Sequence, residues 1–177
     1  MQVLALSEAF DAIQAFMERG GSVLFGILAV TFIMWVLIIE RIWFFSLEYR
    51  KQRNRVIDAW EARAERKSWY AHKIRAAMVS EIHHNLFQGV NLIKTLVAIC
   101  PLIGLMGTVT GMIEVFDVMG SQGSSNARAM AAGVSKATIP TMAGMVAALS
   151  GIFLSTYIER RAKRESDRLE DSLTTDH

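Results

Sequence analysis

Cys100-Pro-Leu-Ile-Gly-Leu-Met-Gly-Thr-Val-Thr-Gly-Met-Ile113 is apolar, uncharged and crowded with small residues. Set on a helix, Cys100, Gly104, Gly107 and Gly111 recur at steps of four and three and fall on one narrow stripe. Stripes of this kind let helix backbones approach closely in lipid. Thr108 lies beside the stripe, and Thr110 supplies a second hydroxyl. A later segment has the same rhythm: Gly133, Ala137, Thr141, Gly144, Ala148, Gly151 and Ser155. Two long apolar helices with matching small faces, each with hydroxyls near the seam, predict a membrane helix pair that packs tightly and lines a polar path.

The composition agrees. The chain has 177 residues, 52% hydrophobic and 20% charged, a balance that implies membrane spans alternating with charged extensions. No alternating β-branched runs lie between turn signals, so the expected fold is an all-α integral membrane protein with three transmembrane helices and long cytoplasmic extensions. Cys100 stands alone and cannot form an intrachain disulfide; it reads as a small packing residue. Basic residues are interleaved with acids rather than gathered in a patch, which argues against nucleic acid as a partner. His72, His83 and His84 come without HExxH or CxxC spacing, so no metal site and no cofactor are expected. Neither a nucleophile–base pair nor a nucleotide-binding loop stands out, and an enzyme is the least supported class.

Residues 1–20 read as an amphipathic helix, with Leu6, Phe10, Ile13, Phe16 and Met17 at helical spacing. The expectation is a helix lying on the outer membrane–water interface and broken at Gly20-Gly21. Residues 21–39 are uncharged and just long enough for a first span; Glu40-Arg41 and the aromatic residues Trp43, Phe44 and Phe45 mark its end. Residues 40–94 form a polar helical block with eleven Lys/Arg against six Asp/Glu. Its basic stretch from Tyr49 to Lys67, with mixed-sign charges, reads as a solvated helical face, or alternatively as a surface for anionic phospholipid headgroups. The periodicity from Ala76 to Leu92 predicts a helix running directly into the second span at 95–119. Residues 120–127 form a turn-rich loop, 128–158 the third span and 159–177 a charged tail. Only Arg19 and Arg128 lie on the other side of the basic block and the tail root. The positive-inside rule therefore places the N-terminus outside and the C-terminus inside.

Several polar or helix-bending residues interrupt the apolar helices. Pro101 and Pro140 are expected to kink them. Thr138 and Thr141 flank Pro140, where their hydroxyls either stabilise freed backbone groups or line the path. Glu114 and Asp117 lie three residues apart on one face and read as outer carboxylates facing water or a partner subunit. Lys136 is the one Lys/Arg between Arg128 and Arg160, and a charge beside a membrane path is a functional candidate.

Pro101-Leu-Ile-Gly-Leu-Met-Gly-Thr108-Val-Thr-Gly and Val134-Ser-Lys-Ala-Thr-Ile-Pro-Thr141-Met-Ala-Gly resemble the two membrane motifs of the ExbB/TolQ branch of the MotA/TolQ/ExbB proton-channel family. The three-span, N-out arrangement with a large inner block resembles it as well, and the likeness is to a divergent ExbB type of a second TonB system. The resemblance implies a homo-oligomeric ring, a pentamer in the ExbB type, around two copies of a single-span ExbD-like partner. It implies that proton flow drives a motor, and that a TonB-like protein carries the force to outer-membrane import of iron chelates and cobalamin. It makes Thr108 and Thr141 pore-lining residues. Where the family carries a Glu five residues before the third-span threonine, this chain has Lys136, which counts against a proton-pathway carboxylate at that position. A TolQ-like role in envelope integrity and a non-conducting membrane scaffold are the alternatives.

Overall fold

A computed structural model describes residues 2–122 and 127–173. Its elements are α1 (Gln2–Trp43), a widened π-helical turn (Phe44–Glu48), α2 (Tyr49–Glu61), α3 (Trp69–Phe87), α4 (Val90–Gln122) and α5 (Ala127–Ser172). No strand occurs among the described residues. The protein is all-α, with three helical stretches long and apolar enough to cross a membrane, within Gly20–Glu61, Trp69–Ser121 and Ala127–Ser172. The predicted turn-rich loop at 120–127 falls partly on residues 123–126, which lie outside the described residues, as do the side chains of Leu6 and Phe10.

Two glycines set the bends. Gly21 has φ +68° within α1, a conformation that only glycine adopts freely, and the helix changes direction there. Gly89 has φ +77° and separates α3 from α4. The predicted uninterrupted helix from Ala76 into the second span is thus broken at Gln88-Gly89, with the Gln88 N–H donating to the His84 carbonyl at 2.9 Å as the last bond of α3. The helical stretch expected from Tyr49 to Lys67 likewise stops at Glu61. A new helix begins at Trp69, where the Ser68 hydroxyl accepts the Tyr70 N–H at 3.1 Å as an N-cap. The charged segment after 159 continues α5 without a break to Ser172.

The chain folds as two compact units. The first joins α1 up to Met34 to Thr95–Gly151. Its centre is small: Leu24 and Ile27 from α1 meet Cys100 from α4 and Ala147 and Ala148 from α5. Large apolar side chains instead point outward. Phe32 is 67% exposed, Leu102 63% and Met142 67%, the reverse of a water-soluble core and the arrangement that suits lipid. Beyond the Gly21 bend, Ile13, Phe16 and Met17 flank an open apolar cleft of about 690 Å³ with Leu24, Ile27 and Val146.

The second unit joins Trp35–Lys94 to α5 from Ile152 onward. It has a conventional core that includes Ile38, Phe45, Trp60, Leu86, Ile158 and Leu169. Arg41 is buried here; its guanidinium donates to the Asn85 carbonyl at 3.2 Å and lies 5.2 Å from the centre of the Phe44 ring. The Tyr49 hydroxyl donates to the Glu165 carbonyl at 2.9 Å, and Lys94 pairs with Glu159. Arg75 of α3 closes the end of α5 by donating to the carbonyls of Glu170 (2.7 Å) and Leu173 (2.8 Å). Carbonyls in the last turn of a helix lack partners of their own, so this guanidinium acts as a C-cap supplied from another helix. Arg75→Ala is expected to cost about 1–3 kcal/mol locally. The result would appear as faster amide exchange over the last turns of α5; unchanged protection there would rule the cap out.

Candidate functional site

The α4–α5 seam of the first unit is built from absent side chains. A Cβ on Gly104 would lie 2.9 Å from the Pro140 carbonyl oxygen and 3.0 Å from the Thr141 Cα. On Gly144 it would lie 2.6 Å from the Cys100 carbonyl oxygen, and on Gly111 2.6 Å from the Ala137 Cα. At these three positions backbone meets backbone. Gly107 instead faces the Pro140 ring, Gly133 the Val115 side chain, and Gly151 the side chains of Val97 and Met34. The helices run antiparallel in one register, from Cys100 against Gly144 at one end to Val115 against Gly133 at the other. Pro101 and Pro140 both lie inside continuous helices.

The close approach lets one hydroxyl bond across the seam, while the others stay on their own helices. Thr141 Oγ1 donates to the Gly104 carbonyl at 3.0 Å, a bond between α5 and α4. Thr108 donates within its own helix to Leu105 (2.7 Å), Thr110 to Gly107 (3.0 Å) and Thr138 to Ser135 (3.0 Å). In each case the proton goes to a backbone carbonyl, so the oxygen lone pairs are left to accept from another donor. A seam of this kind receives hydrogen bonds from a protonated group or from water. No Asp or Glu occurs in 95–113 or 137–158, so a carboxylate at the middle of the seam has to come from elsewhere.

At the far end of the same seam, Lys136 Nζ lies 2.7 Å and 3.0 Å from the two carboxylate oxygens of Glu114. Sequence reasoning placed Glu114 with Asp117, facing water or another subunit. The structure gives Glu114 a partner on α5 of its own chain, while both acids stay exposed. Each stripe carries its own residue toward the seam, since Glu114 follows Gly107 and Gly111 at the next steps of four and three and Lys136 adjoins Ala137, but that the two meet follows only from the register. Among the described residues no three His, Cys, Asp or Glu side chains converge as metal ligands.

A polar seam between tightly packed apolar helices, with a third long apolar helix in the chain, defines a multi-pass α-helical membrane protein. Residues 48–171 match the MotA/TolQ/ExbB proton channel family, and the chain belongs to that family. Among curated proteins, an ExbB-like biopolymer transport protein of Synechocystis sp. is 39% identical over 70 residues, 38% of this chain and 28% of its own length. The biopolymer transport protein exbB1 of Vibrio cholerae is 32% identical over 96 residues, 54% of this chain and 42% of its own. ExbB of Aquifex aeolicus is 26% identical over 93 residues, 52% of this chain and 60% of its own. In each case the match covers less than two thirds of the relative.

Proposed function

We propose that this chain is the proton-channel subunit of an inner-membrane, ion-driven motor of the ExbB type. Five copies form a ring around two helices of an ExbD-like, Asp-bearing partner. The motor energises a TonB-like protein for outer-membrane import of iron chelates or cobalamin. The N-terminus lies in the periplasm and the C-terminus in the cytoplasm. The observation that carries this reading is the family match, which spans both helices of the seam.

In this mechanism Thr108 and Thr141, with Thr138 nearby, present hydroxyl oxygens to the partner carboxyl. Protonation neutralises the Asp, so it can move through apolar surroundings; deprotonation toward the cytoplasm restores the charge. One elementary charge crossing 100 mV carries about 2.3 kcal/mol, enough to bias a step between neighbouring subunits. Gly104, Gly111 and Gly144 hold the two helices at backbone contact, so the hydroxyls keep a fixed spacing through the step.

Native mass spectrometry of the chain co-expressed with a single-span, ExbD-type partner tests the assembly. Five copies with two partner copies are expected. A monomer or dimer that ignores the partner would overturn the motor and leave a membrane scaffold.

A further inference from the structure

We infer that Glu114 is the counter-charge that keeps the Lys136 end of the seam open to protons. The inference rests on the proton-channel reading and adds a residue pair that sets permeability. Three observations carry it.

The first is the pair itself. Lys136 Nζ is centred on both oxygens of Glu114, at 2.7 Å and 3.0 Å. The two side chains are 38% and 53% exposed. At that exposure an ion pair adds little to stability, so its consequence is the local field rather than the fold.

The second is the surroundings. Lys136 and Glu114 line a small cavity of about 40 Å³ with Ser22, Thr110, Gly111 and the Gly21 bend. A Cβ on Gly21 would lie 3.1 Å from Lys136 Cε, so the lysine stem runs directly over the bend. The volume has room for about one water, and two hydroxyls and two charges offer it hydrogen bonds. The pair therefore sits at a wettable opening where all three helices of this unit meet.

The third is position. Glu114 is six residues along α4 from Thr108, and Lys136 five residues along α5 from Thr141. At a rise of about 1.5 Å per residue, the pair lies roughly 7–9 Å along the seam from the threonines. An uncompensated ammonium at that distance raises the energy of a passing proton or hydronium; a tightly paired one presents only a dipole.

The signs of the single variants separate this idea from a mechanical clasp. A clasp is broken equally by loss of either partner. Charge compensation predicts opposite outcomes. The test is proton flux into liposomes containing the complex with its single-span partner, alongside native mass spectrometry of each variant. Glu114→Gln leaves Lys136 bare and is expected to slow flux by roughly tenfold to thirtyfold. Lys136→Gln leaves a bare carboxylate and is expected to raise flux about two- to fivefold. The double variant is expected to recover to within about threefold of wild type.

Wild-type flux with no effect of Glu114→Gln would overturn the inference while leaving the channel reading intact. So would equal slowing by both single variants, or a double variant as slow as Glu114→Gln. Should Glu114→Gln fail to assemble, assembly and flux of the double variant decide. Recovery identifies the bare lysine as the damaging element, and continued failure makes the pair structural and overturns the proposal. A wild-type complex with no proton flux refutes the channel reading and this inference with it.

Discussion

Gly104→Leu and Gly144→Leu are each expected to abolish the close packing of α4 on α5, the largest structural effect available from single substitutions in the seam. The cause is geometric. A Cβ at either position falls within 3 Å of a backbone carbonyl oxygen on the facing helix, and a carbonyl cannot rotate out of the way as a side chain can. The helices must separate, which breaks the Thr141–Gly104 bond and uncovers Cys100 and Ala148. Overpacking that side chains absorb costs about 1–3 kcal/mol. Displacing a backbone along the length of a seam costs more than that.

The glycines are expected to rank by what they face. Gly104→Ala, Gly111→Ala and Gly144→Ala meet backbone and form the severe group. Gly107→Ala meets the Pro140 Cβ at 2.5 Å, and a ring tied to its own backbone cannot rotate away, so it falls with the severe group. Gly151→Ala meets the side chains of Val97 and Met34, which can shift, so it is intermediate. Gly120→Ala meets nothing within 4 Å and serves as the neutral control. Thermal stability of the detergent-solubilised protein reads the series. A Gly144→Ala variant as stable as Gly120→Ala would refute backbone contact at that point.

The fold was legible in the sequence because its signals were redundant. Three uncharged runs of membrane length, a stripe of small residues at four-and-three spacing on two of them, and a charged block between spans all point to the same helical membrane protein. The break at Gln88-Gly89 was not legible. A lone glycine in a helical pattern is usually tolerated; what marks this one is the left-handed conformation it takes, beside the buried guanidinium of Arg41. Arg41 was read as a charged stop at an interface. Its burial depends on the Asn85 carbonyl, 44 residues away, which no local pattern announces.

The site was legible in parts. Each stripe could be read from its own helix. The pairing of Glu114 with Lys136 could not, because it depends on the register of one helix against the other. That register is defined by which small residues meet across the seam, and neither helix shows it alone. Once Gly111 is known to face Ala137 and Gly133 to face Val115, Glu114 and Lys136 fall opposite each other without further assumption. The same register brings Thr141 to the Gly104 carbonyl and gives it a bond between helices, where position beside Pro140 had suggested a local one.

Replacing Thr141 and Thr108 together by valine is expected to reduce proton flux through the assembled complex by about a hundredfold or more. Valine keeps the branched shape and removes the oxygen, so packing changes little while the acceptors for a protonated partner carboxyl disappear. A buried group that loses its only partners carries a desolvation cost of about 1–3 kcal/mol per missing hydrogen bond, and two such losses on one path multiply in rate. The single variants separate the two roles. Thr141→Val also removes the bond to Gly104, so it is expected to lower both stability and flux. Thr108→Val gives up a bond within its own helix, so its effect falls mainly on flux. Thr141→Ser keeps the hydroxyl and is expected to retain most of both. Flux measured in liposomes, with native mass spectrometry as the check on assembly, distinguishes these outcomes. If the double valine variant assembles and conducts like wild type, the seam hydroxyls are packing groups, and the proton must take a path that avoids them.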